Sequence, residues 1–149
     1  MSRRIQSGVM LIEAMVGILI FSIGVLALVG LQAVAIKASA EAKYRADASY
    51  LANSIVGRMW NETAANLVNY RHRDTSTAGQ LCQPTGATSG NANVTAWLAK
   101  VAALLPGADA TRQQIAVDIA TNQVTIAVCW VSPQDSLPHR HIIIAYINK

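Results

Sequence analysis

Glu13 is the residue that most calls for a chemical explanation, because it is the one formally charged side chain in residues 9–36. A charged side chain inside an apolar helix is costly, so such residues normally have a partner and a function. If the chain were cut after Gly8, Val9 would carry a free, positively charged α-amine. That amine on a neighbouring chain would neutralise Glu13, and association would lower the cost of the buried charge. The alternative is an interfacial glutamate that reaches toward lipid headgroups.

Two cysteines, Cys82 and Cys129, offer a second chemistry, the formation of a disulfide. Disulfides form and persist in exported proteins, where the compartment is oxidising. A bridge between these positions would close a long loop and contribute about 4 kcal/mol in the chain-entropy model. The two residues are too far apart in sequence for a C-x-x-C redox motif. The alternative is a pair of unrelated buried thiols.

The other candidates for chemistry are short clusters of histidine and arginine. His139 and His141 are spaced to share one face of a strand, but two histidines without a third ligand nearby make a poor metal site. Arg71, His72 and Arg73 form a small basic cluster that is more often a solvated turn than a nucleic-acid contact. The sequence has neither a glycine-rich phosphate loop nor a G-x-S-x-G motif. It therefore predicts no metal, no cofactor, no nucleic-acid partner and no enzymatic activity.

The element that must position Glu13 is the apolar segment 9–36, which exceeds the about 20 residues that a membrane-spanning helix needs. This segment accounts for a chain that is 52% hydrophobic and only 13% charged, against an average of about 25% charged residues in globular domains. Arg3 and Arg4 precede it and contribute to the net charge of +4. Basic residues before an apolar helix predict that the N-terminus stays cytoplasmic and the remainder is exported.

Two ordinary kinds of N-terminal segment would fit part of this pattern. A secretory signal peptide would be cleaved after a small-x-small sequence such as Ala33-Val34-Ala35, but its apolar region is only about 7–15 residues long. A signal anchor fits the length and leaves Glu13 unexplained.

Beyond residue 36 the pattern predicts that the same helix continues to residue 60 with one apolar face. The residues of that face are Tyr44, Ala48, Leu51, Ile55 and Met59. A second helix is predicted over 94–105, where Trp97 lies at helical spacing from other apolar residues and Pro106-Gly107 ends the helix. Trp97 and Trp130 are predicted to lie in the core.

Strand patterns follow the second helix, and Thr121-Asn122 predicts a tight turn between the first two strands. The predicted strands cover residues 115–120, 123–131 and 141–147. Segments 66–80 and 84–93 are predicted to be polar connections. The sequence therefore predicts an α+β fold in which one long N-terminal helix packs on a small antiparallel sheet.

The start of the long helix resembles the cleavage and methylation motif of type IV prepilins, in the residues Ser7-Gly8-Val9-Met10-Leu11-Ile12-Glu13. In that motif a short basic leader ends in glycine, an apolar residue follows, and glutamate stands at the fifth mature position. The resemblance implies that a prepilin peptidase cuts the bond between Gly8 and Val9 and N-methylates Val9. Most family members have phenylalanine where this chain has Val9.

Further segments are similar to the minor pilin PilV (type IV pilus modification protein) subfamily. They are Ser22-Ile23-Gly24-Val25-Leu26, Leu31-Gln32, Trp97, Leu104-Leu105-Pro106-Gly107 and Val128-Cys129-Trp130. The fold implied is a ladle, in which the outer half of a long curved helix packs on an antiparallel sheet. The implied domains are a leader (1–8), a transmembrane and polymerisation helix (9–36), and a periplasmic globular domain (37–149).

The resemblance implies a minor pilin that takes part in priming or tip assembly of a type IV pilus. Its implied partners are other minor and major pilins, prepilin peptidase, the inner-membrane assembly platform and membrane lipid. Its implied location is the bacterial inner membrane, with a periplasmic domain, and then the pilus. The alternatives are a pseudopilin of a type II secretion system, a DNA-binding or adhesive minor pilin that uses Arg71 and Arg73, and a secreted domain released after Ala35.

Overall fold

A computed structural model describes residues 7–76 and 81–147. The chain forms two α-helices, a 3-10 helix and five strands in these ranges. In chain order they are α1 (Ser7–Met59), the 3-10 helix (Ala64–Tyr70), β1 (Thr75–Ser76), β2 (Pro84–Thr85), α2 (Ala92–Leu104), β3 (Gln114–Asp118), β4 (Gln123–Trp130) and β5 (His139–Tyr146). The fold class is α+β, as the sequence predicts.

The long helix α1 contributes to two compact units, Met1–Ala40 and Glu41–Lys149. In the second unit its apolar face packs into the core, where Leu51, Ile55 and Met59 are fully buried. The residues of this face recur at the spacing that brings them to one side of a helix. The predicted long helix and its buried face are therefore confirmed.

Strands β3, β4 and β5 form an antiparallel sheet with β4 in the centre. Alternation along β4 places Val124, Ile126 and Val128 in the core, since successive side chains of a strand point to opposite faces. Asn122 takes the left-handed conformation with φ 54° in the connection between β3 and β4. The predicted hairpin is confirmed, but its connection is the four residues 119–122 and not Thr121-Asn122 alone, because β3 ends at Asp118. In its turn, hydrogen bonds from the Thr121 hydroxyl and the Ala120 N–H hold the pKa of Asp118 below its usual value.

The second helix begins two residues earlier than the apolar spacing predicts, because Asn91 caps it. The Asn91 side chain accepts hydrogen bonds from the N–H groups of Asn93 and Val94, which satisfies two donors at the helix start. Trp97 is buried and donates its indole N–H to the Leu51 carbonyl at 2.9 Å. This bond fixes α2 against α1, and the predicted core position of Trp97 is confirmed.

The segments predicted as plain polar connections contain local structure. In the predicted connection 66–80, of which 77–80 lie outside the described residues, the 3-10 helix buries Leu67 and Tyr70. Strand β1 pairs with β2, which lies in the predicted loop 84–93. The Tyr70 hydroxyl donates to Glu62 Oε1 at 2.9 Å and accepts from the Asn93 amide at 2.8 Å. Burial and the hydrogen bond to Glu62 raise the pKa of Tyr70. Glu62 is 8 residues and Asn93 is 23 residues from Tyr70, so these contacts lie outside the spacing of a single regular element and local periodicity does not show them.

Gln113 connects the segment before β3 to the central strand through its buried side-chain amide. The amide nitrogen donates to the Asp109 and Cys129 carbonyls at 2.9 and 3.0 Å, and the amide oxygen accepts from the Cys129 N–H at 2.9 Å. Gln113 is fully buried. Its side chain therefore satisfies backbone groups that water does not reach.

We expect Gln113→Met to lower the free energy of unfolding by about 2–4 kcal/mol, because it leaves the Cys129 N–H and carbonyl buried without their partner. The measurement is urea denaturation of the detergent-solubilised chain, followed by tryptophan fluorescence. Gln114→Met is the matched control, since Gln114 is the next residue and only half-buried. Equal losses for the two variants would contradict the role assigned to Gln113.

Candidate functional site

The first candidate site is the apolar part of α1, whose side chains are exposed in the chain. Its most apolar window has a mean hydropathy of 2.6, and none of that window is buried. Of the helices in the described residues, this is the one long and apolar enough to cross a membrane. Apolar side chains in such number require a nonaqueous partner, either lipid or other helices.

The residues of the predicted cleavage motif lie in the first turns of this helix. The Gly8–Val9 bond falls near the start of α1 (Ser7–Met59), and Glu13 lies one helical turn beyond Val9, with an exposed side chain. Ser22, the next polar residue, satisfies its own hydroxyl by donating to the Ile18 carbonyl at 2.7 Å. Glu13 is thus the group in this segment whose charge needs a partner from outside the helix.

The two cysteines form the predicted disulfide. Cys82 and Cys129 are bonded through their sulfurs, with Cα atoms 5.8 Å apart, and both residues are buried. Cys129 lies on the central strand β4, and Cys82 lies two residues before β2. The bond therefore ties the small β1–β2 hairpin to the main sheet.

A second polar group, here called the Glu41 cluster, brings together Glu41, Ser132, Asp135 and His139. The Ser132 hydroxyl donates to Glu41 Oε1. The imidazole Nε2 of His139 lies 2.8 Å from Asp135 Oδ2 and 3.9 Å from Glu41 Oε2. One ligand atom from each of Glu41, Asp135 and His139 lies within 4.8 Å of the other two.

The Glu41 cluster is largely shielded from water. Its three ionisable side chains are 19% (Glu41), 25% (Asp135) and 26% (His139) exposed. The Trp130 ring stacks on the His139 ring with centroids 5.4 Å apart and planes 19° from parallel. This contact holds the plane of the imidazole, whose Nε2 edge faces both carboxylates.

Sequence reasoning considered His139 only together with His141, and so it missed this cluster. The one local signal is the D-x-x-x-H spacing of Asp135 and His139 between two strands. Glu41 lies on α1, and only the packing of the helix against the sheet brings it to His139.

The basic cluster Arg71, His72 and Arg73 is engaged within the chain. The Arg71 guanidinium donates to the Val117 carbonyl at 3.1 and 2.7 Å, and Arg73 donates to the Pro84 carbonyl at 3.3 Å. His72 is buried, with its Nε2 2.8 Å from the Ala110 carbonyl. These contacts give the three residues a structural role in holding the segment before β1 to the sheet and to β2.

The chain matches no protein-family model, no curated protein and no solved structure. The function of both candidate sites therefore has to be inferred from their residues and geometry.

Proposed function

We propose that this protein is a minor pilin, a subunit that prepilin peptidase cleaves between Gly8 and Val9 and that takes part in priming or tip assembly of a type IV pilus. The observation that supports this most is that the two parts of α1 differ in composition and burial. Residues 9–36 are apolar and exposed with a single carboxylate, whereas Leu51 and Met59 of the same helix are buried in a globular unit.

The proposed mechanism is assembly and involves no catalysis by the chain itself. The apolar segment first holds the subunit in the inner membrane, with Arg3 and Arg4 on the cytoplasmic side. Removal of residues 1–8 exposes the α-amine of Val9. The segment then leaves the lipid for a bundle of similar helices, which bury the same apolar surface.

The charge of Glu13 favours transfer of the helix from lipid into the bundle and also favours one axial alignment of neighbouring helices. In lipid the carboxylate has no partner, whereas in a bundle it meets the positive amine of a neighbouring subunit's Val9 at low dielectric, where opposite charges attract strongly. Misaligned helices would leave both charges unpaired. Pairing therefore favours one axial offset between subunits.

The globular unit supplies the surface that selects neighbouring pilins. Its disulfide supports placement in an oxidising compartment, which the periplasm is, since such bonds are rare in the cytosol. A pseudopilin of a type II secretion system would share all of these features and differ in the filament it joins. Co-purification with pilus or with secretion components separates the two.

The deciding experiment is to determine the mature N-terminus by mass spectrometry of protein extracted from membranes of cells that contain a prepilin peptidase. We expect a chain that starts at Val9 and carries one added methyl group. Gly8→Val should retain residues 1–8, because a branched side chain next to the scissile bond hinders cleavage by the peptidase. Gly17→Val is the matched control and should be processed, since the space around Gly17 is open.

A mature chain that starts at Ile36 would contradict this function and identify an ordinary signal peptide. Cleavage of Gly8→Val at the same bond would remove Gly8 from the recognition motif. Normal processing of Gly17→Val would show that a valine in this helix does not by itself prevent cleavage.

A further inference from the structure

The Nε2 atom of His139 faces two carboxylate oxygens, and its single proton can form a good hydrogen bond with only one of them. It points toward Asp135 Oδ2 at 2.8 Å and toward Glu41 Oε2 at 3.9 Å. One N–H donates well to one acceptor, and Asp135 is the nearer of the two. Among the described residues, Glu41 Oε2 has no hydrogen-bond donor, although that atom is inaccessible to solvent.

A buried carboxylate oxygen without a donor is costly, and a native structure that keeps one calls for an explanation. A cation placed between the three side chains would satisfy Glu41 Oε2 and Asp135 Oδ2 together. It would also accept the lone pair of neutral His139 in place of the proton that faces the carboxylates.

We propose that Glu41, Asp135 and His139 bind a divalent transition-metal ion of the Zn²⁺ class. Ligand atoms that share one zinc ion lie about 3–4 Å apart, given bonds of about 2.0–2.2 Å. The separations of 2.8 and 3.9 Å from His139 Nε2 come close to this range. Two carboxylates also balance the charge of the ion.

The ligand set selects among metals. Imidazole nitrogen suits zinc and other transition ions, whereas Mg²⁺ and Ca²⁺ take oxygen ligands. Three protein ligands leave a fourth position, and the partial exposure of the cluster lets water fill it.

The side chains around the three proposed ligands make contacts of the kind that orient ligands in metal sites. Ser132 donates to the other oxygen of Glu41, which orients Oε2 toward His139. Trp130 stacks on the imidazole and holds its plane. Outer contacts of this kind fix ligand orientation in metal sites.

The three ligands come from different elements: α1, the connection between β4 and β5, and the first residue of β5. A bound ion would therefore cross-link α1 to the sheet within the globular unit. Binding to the folded chain alone would raise the free energy of unfolding, and the gain would grow with the logarithm of the free metal concentration above the dissociation constant.

The test is isothermal titration of Zn²⁺ into the purified full chain in detergent, without a histidine tag. We expect one ion per chain and a higher thermal unfolding midpoint with zinc. Glu41→Gln, Asp135→Asn and His139→Gln should each weaken binding at least about tenfold, the lower end of the losses seen when even outer contacts of a metal site are removed. Mg²⁺ should not compete.

His141→Gln is the matched control, because His141 lies on the same strand and is not one of the three ligands. It should bind zinc as the unaltered chain does. The proposal is overturned if the unaltered chain binds no zinc, if the three variants keep full affinity, or if His141→Gln alone abolishes binding.

A measurement on the unaltered chain keeps the proposal testable if a variant does not fold. Zinc should shift the imidazole nitrogen resonances of His139 in an NMR spectrum and leave those of His72 unchanged. A shift at His72 or His141 without one at His139 would also overturn the assignment.

Discussion

Glu13→Ala is expected to leave membrane insertion and leader cleavage intact and to reduce incorporation into the filament at least about tenfold, the factor that corresponds to 1.4 kcal/mol. Alanine is apolar and favours helix, so it removes the obstacle that Glu13 presents in lipid. It equally removes the partner of the neighbouring amine, which then enters the bundle unpaired. The measurement is the amount of the variant in sheared pili relative to the amount in membranes.

Two further variants separate charge from the general effect of substitution. Glu13→Gln keeps the shape and hydrogen-bonding capacity of the side chain and should fail nearly as badly, because the proposed interaction is with a positive amine. Ser22→Ala should assemble normally, since the Ser22 hydroxyl is satisfied by the Ile18 carbonyl of its own helix. Normal incorporation of Glu13→Ala would sink the role given to this residue.

Removal of the disulfide by the double change Cys82→Ala and Cys129→Ala should lower the free energy of unfolding by about 4 kcal/mol, following the loop-length relation for a crosslink. The two cysteines are 47 residues apart, so the bond removes many conformations from the unfolded chain. Cys129 is also fully buried on the central strand, which adds a small packing loss. Urea denaturation in detergent measures the change.

The matched control for the double variant is the unaltered protein under a reducing agent, because Cys82 and Cys129 are both in the disulfide and no cysteine is free. The two should lose similar stability, and the double variant should not respond to the reducing agent. A loss below about 1 kcal/mol in both would mean that the crosslink hardly restricts the unfolded chain.

Stability and assembly are expected to respond to different parts of the chain. Glu13 lies in the exposed apolar part of α1, so its replacement should not change unfolding of the globular unit. The disulfide lies in that unit, so its loss should lower the amount of folded subunit available for assembly. Measuring both quantities for both variants checks this separation.

The elements whose residues carry their own periodicity were predictable from sequence. The buried face of α1, with Leu51, Ile55 and Met59, follows helical spacing. In the β3–β4 hairpin, most of β3 and the first half of β4 alternate between buried and less buried residues, whereas the second half of β4 is buried throughout. Local spacing suffices in these cases because one regular surface is buried. The two cysteines left one possible pairing, and the fold brings them together.

The segment that resembles a prepilin start was likewise visible in sequence alone. The identity of Gly8, Val9 and Glu13 and the apolar run around them need no tertiary contact to be recognised. Their proposed partners are other chains and lipid. The structure of a single chain therefore adds only that the segment is helical and that the side chains of Val9 and Glu13 are exposed.

The short elements and the polar contacts were decided by tertiary structure. The 3-10 helix and the β1–β2 hairpin depend on partners outside their own elements, such as Glu62 and Asn93 for Tyr70 and Pro84 for Arg73. Gln113 looks like any polar residue in sequence, yet it satisfies the buried backbone of Cys129.

The Glu41 cluster shows most clearly what the sequence does not contain. Glu41 lies on a helix, where a solvated carboxylate is the ordinary expectation. His139 lies near His141 in sequence, so sequence spacing suggests a pair of histidines rather than a contact with α1. The packing of α1 on the sheet places Glu41 beside Asp135 and His139. Sequence spacing determines which face of each element is buried, but the meeting of polar side chains from separate elements depends on how those faces pack together.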